Sequence, residues 1–348
     1  MALRRACVIG LVVALCACGG SAPRRVESAD VSRQETLEET RLAERQRDAW
    51  TPPVLLWEIG DEAEASYVHA ALPFGTTMRH ALPEPHDGAL DLSRAIVTTF
   101  DPREAVPLDQ VPESALMGRR DRLDRMLGAE EWTALRAQLG PALPDESLRR
   151  IPPMILVEHL VRVRMAEVEA EADGRNPVPH AISTSSVIGD VLAWARMQGA
   201  PIVAIDTHEQ AAARLAAIPR EASLEGLRDA LANVEAWRAR WSTLRSAYAS
   251  ADDHALASAC EASLGEGALA DARRAERAAR IDAWSALITA QLEEGRAFVA
   301  LPACDVVGED GALARIAASG VRVRRLGAAP GSAPPRDLGR SREAGVLP

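Results

Sequence analysis

The stretch FVALPACDVVGEDGALARIAASGVRVRRL, residues 298–326, decides the architecture. A continuous apolar run stops at Pro302, and a short loop carries Cys304 and Asp305. A run of small residues with helical spacing follows, with Glu309 and Asp310 at its start, and the alternating segment VRVRRL closes the stretch. Strand, loop, helix over 309–319 and strand again is an α/β pattern, with a polar loop between two apolar runs.

Working outward, VLLWEIG (54–60) and ASYVHAAL (65–72) flank the polar turn DEAE and predict a hairpin. RAIVTTF (94–100) predicts a third strand. The texture then turns helical. IPPMILVEHLVRVRMAEVEAEA (151–172) is the clearest helix, with Pro152 and Pro153 suited to its first turn. SVIGDVLAWARMQG (186–199) predicts a helix ending at Gly199 and feeding PIVAID (201–206), expected to be a buried strand. Long helices fill 224–294, and RAFVAL and VRVRRL supply the last two strands. The expected fold is α/β, a mixed β-sheet formed from N- and C-terminal strands with a large helical middle.

The chain divides into four parts on this reading. Residues 1–17 form a lipoprotein signal peptide: Arg4 and Arg5 precede an apolar run too short for a committed membrane span. Its end, Leu15-Cys16-Ala17-Cys18, resembles a bacterial lipobox, which implies cleavage before Cys18 and a lipid on that cysteine. Gly19 follows where an inner-membrane retention signal usually has Asp, so the expected location is the cell envelope, at the outer membrane. Residues 18–50 are polar and charge-rich and read as a tether. Residues 51–326 form a single folded domain, and 327–348, rich in Pro and Gly, form a disordered tail.

Composition excludes several chemistries. None of the 348 residues is lysine, so all 40 basic residues are arginine. A Walker A loop, a Schiff-base lysine and a lysine general base are therefore ruled out. A net charge of −10 without a basic cluster argues against nucleic acid. Cys260 and Cys304 are the cysteines left after the signal and the anchor, free to pair or to remain thiols. THEQAAARL (207–215) lacks the second histidine of a zinc-binding His-Glu-x-x-His, because Ala212 stands there. Thr207 and Gln210 instead have capping-box spacing. His80, His86, His180 and His254 sit in polar contexts and are expected to be exposed, whereas His69 is expected at the edge of the core.

The order of these segments resembles the TraB/GumN/Tiki family. PVLLWEIGDEAEASYVHAALPFG matches its opening hairpin, GAPIVAIDTHEQ its middle strand, and the block from Arg280 to Leu326 its C-terminal part. The resemblance implies a scaffold of metal-dependent hydrolases, some of them membrane-tethered proteases. The metal site it implies uses the histidines of two Gly-x-x-His motifs and an acidic residue after an early strand. Carried over by position, the first histidine falls on Pro73 and the early acidic residue on Thr99, with Asp101 nearby. The middle Glu falls on Asp206, the Arg of an Arg-Asn pair on Arg280, and the second histidine on Asp305; Gly308 and Gly311 are retained.

Both histidines are thus replaced. The expectation is a catalytically inactive lipoprotein, held to the membrane by Cys18, with no cofactor and no metal. It would bind an envelope protein or a small ligand. The alternative is a metal-dependent hydrolase with a site rebuilt around Asp206 and Asp305, with Cys304 or His69 as weak further ligands.

Overall fold

A computed structural model describes residues 54–326, apart from 62–63, 83–87, 102–107, 109–110, 112, 141–142 and 184. The segments read as signal peptide, tether and tail, Cys18 among them, lie outside the described residues, as does His86.

Six strands make one mixed sheet among the described residues: β1 Leu56–Ile59, β2 Ser66–Ala71, β3 Ala95–Thr98, β4 Ile202–Ala204, β5 Ala297–Pro302 and β6 Val323–Leu326. Their order is β4-β3-β5-β2-β1-β6. β1 and β2 form the expected antiparallel hairpin. β2, β5, β3 and β4 run parallel to one another. Segments more than 200 residues apart in sequence therefore sit side by side, as the terminal placement of the strands required. β6 pairs antiparallel with β1 and puts Arg324 opposite Glu58. Its guanidinium donates to both oxygens of the nearly buried Glu58 carboxylate, at 3.1 and 2.7 Å, a bidentate pair that fixes the register of this outer strand.

Helices longer than one and a half turns are α1 Ala129–Leu139, α2 Pro153–Ala172, α3 Val187–Gln198, α4 His208–Ala217, α5 Arg220–Ala232, α6 Val234–Ser250, α7 Asp253–Leu264, α8 Ala268–Glu293 and α9 Ala312–Ala318. α2 begins with Pro153, and α3 ends at Gly199 in the left-handed conformation, both as the sequence implies. Thr207 and Gln210 make the reciprocal capping box at the start of α4.

The sheet is covered on both faces. On one, Val68, Ala70, Val299 and Leu301 pack with Met165, Trp241, Leu244, Leu256 and Trp284 from α2, α6, α7 and α8. On the other, Leu56, Ile96, Phe298 and Ala300 pack with Ile188, Val191 and Leu192 of α3. This double burial explains why β5 reads as an unbroken apolar run rather than an alternating one. A separate all-helical core joins Leu135, Leu139, Leu156, Leu160 and Leu227 from α1, α2 and α5.

Two expectations are corrected. β4 is an edge strand, paired only with β3 and exposed at Ile202 and Ala204, so its apolar residues do not signal burial. The last helix starts at Ala312 behind Gly311, and Glu309 and Asp310 lie in the exposed turn before it. Gly311 is the extended N-cap, with ψ 166°, and sits so close to Val306 and Val307 that a Cβ would lie 2.5 Å from each of their carbonyl oxygens.

Candidate functional site

The carboxyl ends of the parallel strands converge on one cavity of about 440 Å³. β2 delivers Pro73 and Phe74, β3 delivers Thr99 and Phe100, β4 delivers Asp206, and β5 delivers Pro302, Cys304 and Asp305. Helices α2, α4, α6, α7 and α8 complete its walls, with Arg280 contributed by α8. A crevice outside the carboxyl ends of the strands is where α/β sheets offer ligands their side chains. Pro73, Thr99, Asp206, Arg280 and Asp305, assigned from five separate segments, all line this cavity.

The acidic residues do not stand free. Arg214 grips Asp206 with two hydrogen bonds, Nη1 to Oδ1 at 3.0 Å and Nη2 to Oδ2. Its Nε donates to Glu276 at 3.0 Å. Glu276 also accepts twice from Arg280 Nη1, at 3.0 and 2.7 Å. Arg280 Nη2 then donates to Asp305 Oδ1 at 2.7 Å. The result is a chain of alternating charge, Asp206–Arg214–Glu276–Arg280–Asp305. Asp206 and Asp305 are almost wholly buried. Burial pushes the Arg280 pKa down, but the surrounding charges of Asp305, Glu276 and Asp206 outweigh it and hold the group above its ordinary value. Arg280 also lies over the Trp284 ring, 5.4 Å from its centroid.

Cys304 is bonded to Cys260 of α7, with Cα atoms 5.4 Å apart. This settles the pairing that the sequence left open, and it removes Cys304 from the weak metal candidates, because a disulfide sulfur is not the thiolate that binds metal. His69 is fully buried in β2 and does not line the cavity. Its Nδ1 is 3.0 Å from the Leu55 carbonyl, and burial lowers its pKa to about 4. It is a core histidine. His180 and His254 are exposed, as expected.

The donor chemistry argues against the family's metal. A divalent ion needs about three or four good ligands. Pro73 has no donor, and the Thr99 hydroxyl is turned to its neighbour's carbonyl, Phe100, at 3.4 Å. Asp206 and Asp305 are committed to arginines, and Cys304 is oxidised. Among the described residues no group of three or more His, Cys, Asp or Glu is placed to hold a metal ion. These residues do not fit the ion that the family resemblance implies.

Several wall residues were not singled out in the sequence. Glu276 and Arg280 have the i,i+4 spacing of a helical ion pair, a signal that was available. Arg214 falls two turns into α4 and gave none. His159 and Arg162 of α2 and Trp241 of α6 also line the cavity. Burial, reinforced by the charge of Arg162, lowers the His159 pKa to about 4, so the ring is neutral near pH 7.

Fold and cavity together define an α/β domain with its candidate site at the carboxyl edge of a parallel sheet. The chain belongs to the TraB/PrgY/gumN family, whose pattern matches residues 55–325. No curated protein and no solved structure matches it.

Proposed function

We propose that this protein is a TraB/PrgY/gumN-family lipoprotein of the bacterial cell envelope, anchored through Cys18, that binds a ligand or partner in its cleft and does not hydrolyse it. The observation that carries this reading is the charge chain. Where the family resemblance calls for metal ligands, two buried carboxylates are each paired with an arginine. Asp206 is held in a charge-assisted bidentate pair and Asp305 by one charge-assisted hydrogen bond, and a cation would have to compete with the guanidinium for each. The Cys260–Cys304 disulfide supports an oxidising compartment outside the cytoplasm. The lipobox-like Leu15-Cys16-Ala17-Cys18 supports the anchor.

The test is metal uptake by the full chain carrying Cys18→Ser, purified without chelator and offered zinc, manganese and cobalt. The expected result is no stoichiometric metal by elemental analysis. One equivalent retained through gel filtration and lost in Asp305→Ala overturns the reading in favour of a rebuilt hydrolase. Lipidation is tested separately with the wild-type chain: incorporation of labelled palmitate is expected, and it should vanish in Cys18→Ala.

A further inference from the structure

The cavity that the charge chain borders also contains buried donors that the protein itself does not satisfy. Arg162 Nε and Nη2 are buried without a hydrogen-bond partner, as are Trp241 Nε1 and Arg280 Nε. All four are N–H donors on residues that line the same cavity. Arg162 differs from the other arginines there. Arg214 and Arg280 belong to the charge chain, and Arg273 donates to Glu158 at 2.8 Å. The Arg162 guanidinium stacks on Phe74, 4.5 Å from the ring centroid, and among the described residues no carboxylate is hydrogen-bonded to it. The charge of Glu158 acts on Arg162, but Glu158 is hydrogen-bonded to Arg273, and burial is the larger effect, so the Arg162 pKa is lowered.

The geometry of the orphaned atoms is selective. Nε and Nη2 form one edge of the guanidinium, the pair that grips a carboxylate with two parallel hydrogen bonds. The neighbouring wall is apolar: Phe74, Met165, Leu244 and Trp284 line the space beside Arg162 and Trp241. α2 and α6, which carry Arg162 and Trp241, pack against each other. His159, neutral near pH 7, adds no competing charge. A volume of about 440 Å³ suits one small molecule.

Resting on the reading of this cleft as a binding site, we infer that its ligand is a small amphipathic monocarboxylate. Its head is held by Arg162 with help from the Trp241 N–H, and its apolar body lies along the aromatic and aliphatic wall. The ligand supplies the acceptors that the buried donors lack, and no bond is made or broken.

The test uses decanoate as probe, with 1-decanol and decyltrimethylammonium as neutral and cationic controls. Each is titrated by calorimetry into the full chain carrying Cys18→Ser, at concentrations well below micelle formation. The expected result is saturable 1:1 binding of decanoate, at least about tenfold tighter than either control, as a charge-assisted bidentate contact implies. Arg162→Gln should weaken decanoate by about tenfold or more and leave decanol unchanged. Trp241→Phe, which keeps the ring and removes the N–H, should weaken decanoate a few-fold and stands as the test if Arg162→Gln does not fold. Absence of saturable decanoate binding, equal affinity for decanoate and decanol, or an unchanged affinity in the variants overturns the inference. Metal uptake by the same preparation separates the two failures: metal without decanoate binding refutes the binding-protein reading, whereas neither refutes only the ligand class.

Discussion

Removing Arg280 tests the charge chain most directly, because two of its carboxylates depend on it. In Arg280→Met, Asp305 loses its 2.7 Å partner while its side chain is only 4% exposed. Glu276 loses one arginine and keeps Arg214. Breaking a buried pair by taking away one partner costs about 3–5 kcal/mol, because the remaining charge is stranded. Asp305→Asn should cost less, about 1–2 kcal/mol, since Arg280 keeps its two hydrogen bonds to Glu276. The double variant removes the stranded charge along with its partner. Its loss should fall short of the sum of the singles by about 2 kcal/mol, the coupling typical of residues in one network. Urea unfolding of the four proteins at pH 7 measures this, provided that the denaturant slope is unchanged. A coupling energy below about 0.5 kcal/mol, or a milder effect for Arg280→Met than for Asp305→Asn, would show that the chain is a surface-like contact of little worth. The cleft would then be open to cations after all.

Three further outcomes follow from other parts of the structure. His69 and His159 are held near pKa 4 in the folded chain against 6.5 unfolded, so the unfolded state binds more protons between those values. The stability from burying them is complete above pH 6.5 and is lost as pH falls towards 4, by about 3 kcal/mol per group at most. Urea midpoints from pH 7.5 to 4.5 should decline over that window, and His159→Gln should flatten its share; a flat profile in the wild type contradicts the burial. The disulfide closes a separation of 44 residues, for which chain-entropy arithmetic gives about 4 kcal/mol. Paired Cys260→Ala and Cys304→Ala substitutions should lower stability towards that limit, and a reductant should have no effect on the paired variant. Gly311→Ala places a Cβ 2.5 Å from two backbone oxygens, so it should cost about 1–3 kcal/mol by thermal melt, whereas Gly320→Ala, with open space but a positive φ, should cost less.

Most of the sheet was legible because its strands are bounded by turn residues and rich in Val, Ile and Ala. The hairpin, β3 and β5 fall where the apolar runs do. β4 was misjudged because PIVAID has the same composition as a central strand. Its edge position depends on which segments pair with it, and no local pattern records that. The late start of α9 has a similar origin. Glu309 and Asp310 look like first-turn carboxylates, but Gly311 is the extended N-cap and the helix starts at Ala312. Long helices over 224–294 were evident, yet their breaks at Asn233, Ala251 and Gly265 became clear only from the cap geometry.

The cleft shows where sequence reasoning reaches and where it stops. Five positions carried over from the family pattern meet around one cavity, because the ends of parallel strands must lie along one edge of their sheet. What surrounds these positions was harder to read. The resemblance expects histidines at the positions of Pro73 and Asp305. The occupation of the carboxylates could not be read, since Arg214 and Arg280 stand 66 residues apart in the chain, on different helices. Their meeting at Glu276 changes the chemistry of the site. Asp206 and Asp305, taken alone, would be two anions awaiting a cation. With Arg214 and Arg280 in place each has an arginine partner, although the five-residue chain still carries one net negative charge, and the unmet hydrogen-bond demand in the cavity lies with the donors of Arg162 and Trp241. A cavity where the resemblance implies a cation thus presents unsatisfied groups that call for an anion.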